Sequence, residues 1–446
     1  MDVQPIEIAV TVLRCVFAVV FVMNIVPLLI WGERKGAAYI QDRPGPNRAD
    51  IFGVRAGGLI HTLVDVVKLI TKEDIIPQQV ERTFWFVAPV ISMSVALMTF
   101  AVVPWGDHLT LPAGMLGLTE AYKIKLQVAD INGGLLYVLA IGSLGVYGVM
   151  LAGWASNNKF ALLGGLRASA QMVSYELSMG LSVVVMFMCF GSPRLGDIVA
   201  AQSGSILHWG VFQGGIVGPL AFILFWTSVF AETNRMPFDL PEGEAELVAG
   251  YHTEYSSLRF ALFFMAEYAH MVVGSAVTAS LFFGGYNFPF LNGEAIRAHS
   301  DLIVTAIGFL AVPVFLAFSV IAIGRRKRNF YQVIAKNDPR QKEPLVFAVI
   351  WAGAALVHLG LGGLGLSGIV GKSQLGPEIV AFLIQTNVLV VKTLIGCWIM
   401  IWVRWTIPRF RYDQLMNLGW RMMLPVAVGN VFLAGVWVIV KNKLFA

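Results

Sequence analysis

Ten apolar stretches follow one another along the chain, at 8–31, 84–105, 132–154, 172–191, 209–231, 257–283, 302–324, 345–371, 378–403 and 420–440. Each approaches the length an α-helix needs to cross the hydrocarbon core of a bilayer. Long continuous runs, rather than alternating apolar and polar positions, carry the pattern, which argues against strands. The expected fold is all-α, a polytopic bundle of about ten transmembrane helices. Residues 51–71 obey a different rule. Leu59, Ile60, Leu63, Val64, Val67 and Ile70 recur at helical spacing, and His61, Asp65, Lys68 and Lys72 occupy much of the remainder. That spacing predicts an amphipathic helix lying along the membrane interface. The first run is too long for a cleavable signal, opens with Asp2 and Glu7 rather than bases, and precedes Arg34-Lys35.

Composition agrees. The chain is 57% hydrophobic and 13% charged, whereas about a quarter of the residues of a soluble domain are charged. So few charges cannot cover a water-facing surface, and so apolar a chain is not disordered. Lys and Arg set orientation. Loops after odd-numbered runs, from Arg34 to Arg421, hold 23 of them and the opposite loops 7, with Arg14 and Lys392 inside runs. Both termini are therefore expected outside, in a multi-pass membrane protein.

Several signals carry no chemistry. Cys15, Cys189 and Cys397 lie far apart inside apolar runs and read as three buried thiols without a cluster framework. Gly363-Leu-Gly365-Leu-Ser-Gly368 matches a dinucleotide fingerprint but closes an apolar run and follows no strand. The seven histidines show no paired-ligand spacing, so no metal site is expected. His270, three residues after Glu267, reads as its buried partner.

Charge inside a membrane is costly and usually marks a pathway. Glu176 lies within the fourth run and Glu267 within the sixth. The loop after the fifth run is denser. Glu232, Asp239, Glu242, Glu244, Glu246 and Glu254 face Arg235 alone, and Pro237 and Pro241 disfavour a continuous helix there. Crowded carboxylates raise one another's pKa, which suits proton exchange near neutral pH. The first loop, Glu33 to Arg48, joins bases to a Pro44-Gly45-Pro46 turn; Arg404 to Gln414 has a similar mixed character.

Together these segments resemble the H-subunit family of NADH-quinone oxidoreductase, respiratory complex I. The resemblance rests on Glu33–Arg48, Lys68–Asp74, Arg167–Glu176, Ala231–Glu246, Gly250–Ser256, Phe263–Tyr268 and Pro408–Met416, in order. It implies a translocase component with no catalytic group, cofactor or metal of its own. FMN and iron–sulfur clusters would reside in partner subunits, quinone would be the substrate, and neighbouring soluble and membrane subunits would be the partners. The lipid bilayer, that of a bacterial inner (plasma) membrane, would surround the chain, and no nucleic acid is expected. The resemblance also implies a proton-coupling chain of Glu176, Glu232, Glu242, Glu244, Glu246, Glu254 and Glu267, with Arg34, Gln41, Arg43 and Asp239 lining a quinone chamber. The family usually has eight spans. The surplus divides the chain into a core at 1–285, an inserted transmembrane hairpin at 286–378, and two final core spans at 379–446. A membrane subunit of a related hydrogenase and a stand-alone ion or solute permease remain alternatives.

Overall fold

The computed structural model describes residues 3–114, 120–327 and 342–445, without the side chains at 3–5, 244, 245, 325–327, 444 and 445. The basic connector between the seventh and eighth runs lies largely outside the described residues. Helix α1 (Val3–Ile40) leads to the short α2 (Ile60–Thr71), and α3 (Arg82–Thr99), α4 (Gly134–Ala155) and α5 (Lys159–Phe190) pack in sequence. Strands β1 (His108–Leu111) and β2 (Tyr122–Lys125) pair antiparallel between α3 and α4. After α6 (Leu195–Ala201) come α7 (Val217–Glu232), the one-turn α8 (Glu244–Leu247) and α9 (Ser257–Phe282). The turn α10 (Gly293–Ala298) enters α11 (Ser300–Lys327), which pairs with α12 (Glu343–Leu366). Then follow α13 (Ile369–Lys372), α14 (Gly376–Thr406), α15 (Tyr412–Asn417), a π-helical turn at Leu418–Met423, and α16 (Leu424–Phe445).

Among the described residues nine helices are long and apolar enough to cross a membrane. The expected crossing at 209–231 is the shortened one. Turns at Ile206–His208 and Gly210–Phe212, then Gly214 and Gly215 at φ +65°, occupy its first half, so α7 begins only at Val217. Its 16 residues span about 24 Å at 1.5 Å each. The ion pairs still assign α7 a place in the alternation. The C-terminal ends of α1, α7 and α14 meet the N-terminal half of α9 through Glu33, Arg235, Arg404 and Glu267. At the opposite face Arg297 joins Asp107 and Glu378.

The predicted interfacial helix is shorter than expected. Ile51 and Val54 close a tight turn, Gly57 and Gly58 take left-handed φ, and α2 starts at Ile60. Leu63, Val64, Val67 and Ile70 remain exposed, as suits a face turned to acyl chains. The glycine motif at 363–368 is the end of α12 and its left-handed stop at Gly368. Cys189 and Cys397 are buried as expected, but Cys15 is exposed, because it sits on the outward face of α1.

The core lies where α5, α7 and α9 meet. The apolar window of α9 is 67% buried, against 11% for α11 and 17% for α12, so the hairpin is peripheral. Its two helices approach closely because a Cβ on Gly308 would lie 2.5 Å from the Cα of Gly362.

Candidate functional site

At about 1.5 Å per residue, the 38 residues of α1 outrun the hydrocarbon layer and carry Trp31–Ile40 beyond it. Glu33 on this overhang is 5% exposed. Its carboxylate accepts from Arg235 Nη1 at 3.1 Å, from the Tyr268 hydroxyl at 2.6 Å and from Arg404. Arg235, 3% exposed, stacks 4.0 Å above the Tyr268 ring and sits 3.9 Å from Glu267 Oε2. Glu267 accepts from the Tyr251 hydroxyl at 3.1 Å. Arg235 thus serves both acids and Arg404 adds a second guanidinium at Glu33, the pairing under which buried charge is tolerable.

Local chemistry holds Arg235 there. Gln171 on α5 donates from Nε2 to the carbonyls of Ala231 and Phe238, each at 2.7 Å, and pins the turn after α7. Two prolines keep that turn from becoming helix. Beyond it, Asp239 Oδ2 accepts from Arg409 Nη2 at 2.7 Å, while Oδ1 has no hydrogen-bond partner among the described residues. Glu242 meets His252 Nε2 at 3.3 Å.

Burial, reinforced by the charge of Glu242, pushes the Asp239 carboxyl up to about 7 against the pull of Arg409 and Arg404. Burial also opposes ionisation of Glu242, but the His252 hydrogen bond and charge outweigh it and hold that carboxyl at about 2. Burial disfavours charge on His252 as well, yet Glu242 raises its pKa overall. Asp239 therefore holds its proton below about pH 7 and releases it above, whereas in the unfolded chain the release occurs near 3.8. Between these values the folded state binds more protons, so this group's contribution to stability is lost as pH rises through the window. The pH profile of the protein's activity is expected to have a limb near 7 that Asp239→Asn removes. An unchanged limb in the assembled variant would exclude Asp239 as its source.

A second tier of acids lies deeper. Glu232 ends α7 and forms the common wall of two internal cavities. Glu267, His270, Tyr251 and Asn234 line the first, and Glu176, Ser143 and Met172 line the second. Ser143 on α4 donates to Glu176 on α5.

Structure sorts the sequence candidates. Glu267 and Glu232 line one cavity and Glu232 and Glu176 the other, while Glu242 and Asp239 lie in the turn after α7. Glu246 instead pairs at the surface with Arg167 at 2.6 Å, and Glu254 accepts from Asn158 at the same distance. The Glu244 side chain lies outside the described residues. Arg34 binds Asp65 on α2 and is half-exposed, Gln41 and Arg43 are exposed, and Asp239 is buried against Arg409. Sequence reasoning paired Glu267 with His270. No hydrogen bond joins them among the described residues, because Glu267 turns to Tyr251 and Arg235. It also missed Glu33, Arg404, Tyr251 and Tyr268 as site residues. The one available signal was Glu33 itself, an acid leading a run of bases at the end of a span.

Fold and site define a polytopic helical membrane protein with a connected series of buried ionisable groups. The model of the NADH dehydrogenase family matches residues 13–334 and 344–435. An NADH-quinone oxidoreductase H subunit of Solibacter usitatus is 40% identical over 421 residues, covering 94% of each chain. The H subunit of Leptospira biflexa is 40% identical over 407 residues, 91% of this chain and 88% of its own. The Flavobacterium psychrophilum counterpart is 39% identical over 425, covering 95% of both. The chain belongs to the NADH dehydrogenase family, among the H subunits of NADH-quinone oxidoreductase.

Proposed function

We propose that this chain forms the membrane part of the quinone chamber of a proton-translocating NADH-quinone oxidoreductase and couples quinone reduction to proton transfer. The observation that carries this reading is the succession of neighbouring ionisable groups from the first face into the bundle. It begins at Asp239–Glu242–His252, continues through Glu267 and Arg235, and reaches Glu232 and Glu176 through the two shared cavities. Reducing a quinone places negative charge where protons must arrive. Carboxylates in low dielectric respond strongly to such a charge, and each can pass the perturbation to the next. The turn at 232–254 is the coupling element, because it carries the first members of the series and touches α5, α9 and the segment that follows α14. Electrons reach the quinone from NADH through FMN and iron–sulfur clusters in partner subunits; this chain supplies the membrane wall and the proton-transfer groups. The excess of Lys and Arg on the face bearing Arg235 and Arg404 supports a cytoplasmic position for it and periplasmic termini. Arg34, Gln41, Arg43 and Asp239 belong to the chamber side.

In assembled enzyme, Glu176→Gln and Glu267→Gln are each expected to lower quinone-linked proton translocation by roughly tenfold or more, while NADH oxidation by a soluble acceptor persists. Full translocation by the double variant in sealed vesicles would refute the coupling role.

A further inference from the structure

Among the described residues, the peripheral hairpin α11–α12 makes a deeply seated contact with the first cytoplasmic loop. Glu343, the first residue of α12, accepts from Arg55 Nε at 2.7 Å, and only 6% of either side chain is exposed. Its other oxygen lies 3.4 Å from the Gly57 amide. These partners are 288 and 286 residues away in the chain.

The loop they meet is a single keyed body. Trp31 Nε1 donates to the Gly57 carbonyl at 3.2 Å, and Lys35 Nζ donates to Pro44 O at 2.7 Å. The amides of Arg48 and Ala49 both donate to His61 Nε2, at 3.0 and 3.1 Å. Gly58 has φ +96°, and a Cβ there would lie 2.1 Å from Pro46 O. Segments 44–49 and 55–61 therefore move together with the start of α2, and Glu343 closes the assembly from outside. Arg34 and Asp65 join α1 to α2 beside it.

A hairpin that merely occupied membrane area would not bury a carboxylate with its ion-pair partner at its entrance, since desolvating even a paired charge is costly. The alignment with the Solibacter relative covers 94% of both chains, too much to omit residues 286–378, so that relative shares the hairpin. We propose that α11–α12 is a strut for the quinone entrance, and that Glu343 is a positioning residue which holds, through Arg55, the first cytoplasmic loop and the start of α2 in register. The inference rests on reading that loop as part of the quinone chamber.

The test uses membranes containing the whole enzyme, with NADH oxidation by a soluble acceptor as the measure of assembly. Glu343→Gln is expected to raise the apparent KM for a long-tailed quinone roughly three- to tenfold with kcat little changed. The KM for a short-tailed analogue should move less, because the short tail makes fewer demands on the entrance. The paired exchange Glu343→Arg with Arg55→Glu should restore the long-tail KM. Arg34→Ala separates the two ideas. If it leaves quinone affinity unchanged, the chamber reading fails; if it raises KM while Glu343→Gln does not, only the strut fails. Loss of kcat equally for both quinones would also overturn the strut. Should Glu343→Gln not assemble, the exchanged pair decides. Assembly with a normal long-tail KM supports the proposal, and a raised KM or failure to assemble overturns it.

Discussion

Arg235→Leu is expected to abolish quinone-linked turnover and to reduce assembled enzyme sharply. Arg235 is the cation common to Glu33 and Glu267, and its guanidinium lies flat on Tyr268. Removing it leaves two carboxylates in a water-poor layer with Arg404 as the nearest remaining compensation for Glu33. Breaking one buried pair costs about 3–5 kcal/mol, a large part of the stability of any single domain. Arg235→Lys is the informative companion. It keeps the charge but loses the planar stack and the forked donors, so it should assemble and retain reduced turnover. Quantifying the complex in membranes and its translocation in sealed vesicles reads both. Wild-type translocation by Arg235→Leu would show that the ion network does not matter.

Gly250→Ala should displace the whole acidic turn. Gly250 holds φ +58°, and an added Cβ would lie 1.6 Å from Pro241 O, with the Glu242 Cα at 3.1 Å. Backbone cannot yield as a flexible side chain does. The left-handed conformation costs an L-residue about 1–2 kcal/mol, and overpacking typically adds about 1–3 kcal/mol. The same seam carries Gly164 on α5, whose Cβ would meet Tyr251 N at 2.7 Å and Pro241 O at 2.8 Å. Tyr251 and His252 would leave Glu267 and Glu242, so coupling should fail even where the helices still assemble. Hydrogen exchange across 239–255 should accelerate. Gly215→Ala provides the control: its φ of +65° is left-handed too, but nothing lies within 4 Å of the added carbon, so only the conformational cost remains. Equal behaviour of the two variants would rule out steric wedging as the cause.

Much of this site was legible in the linear sequence, for a definite reason. Glu176 and Glu267 stand out because a charge within an apolar run has no surface explanation. The crowding of Glu232, Asp239 and Glu242 is likewise a local property. The same reasoning gave Glu246 and Glu254 equal standing, because spacing along a loop does not say which side chains turn inward. One is paired with Arg167 at the surface and the other with Asn158. Glu33 was hidden for the opposite reason. In sequence it stands among Arg34 and Lys35 and reads as part of a solvated loop; only the overlong α1 and the arrival of Arg235 and Arg404 make it the centre of the network.

Hydrophobicity is summed along the chain, so the sequence by itself determined the membrane environment, the approximate spans, their alternation and the place of the acidic turn. Tertiary structure alone decided which charges meet. Arg404 reaches Glu33 across 371 positions, and Arg55 reaches Glu343 across 288. It also decided that α7 begins late, since the glycine-rich lead-in satisfies its backbone through turns rather than helix. Pair energies depend on distance and local dielectric, and neither quantity exists until the helices have packed.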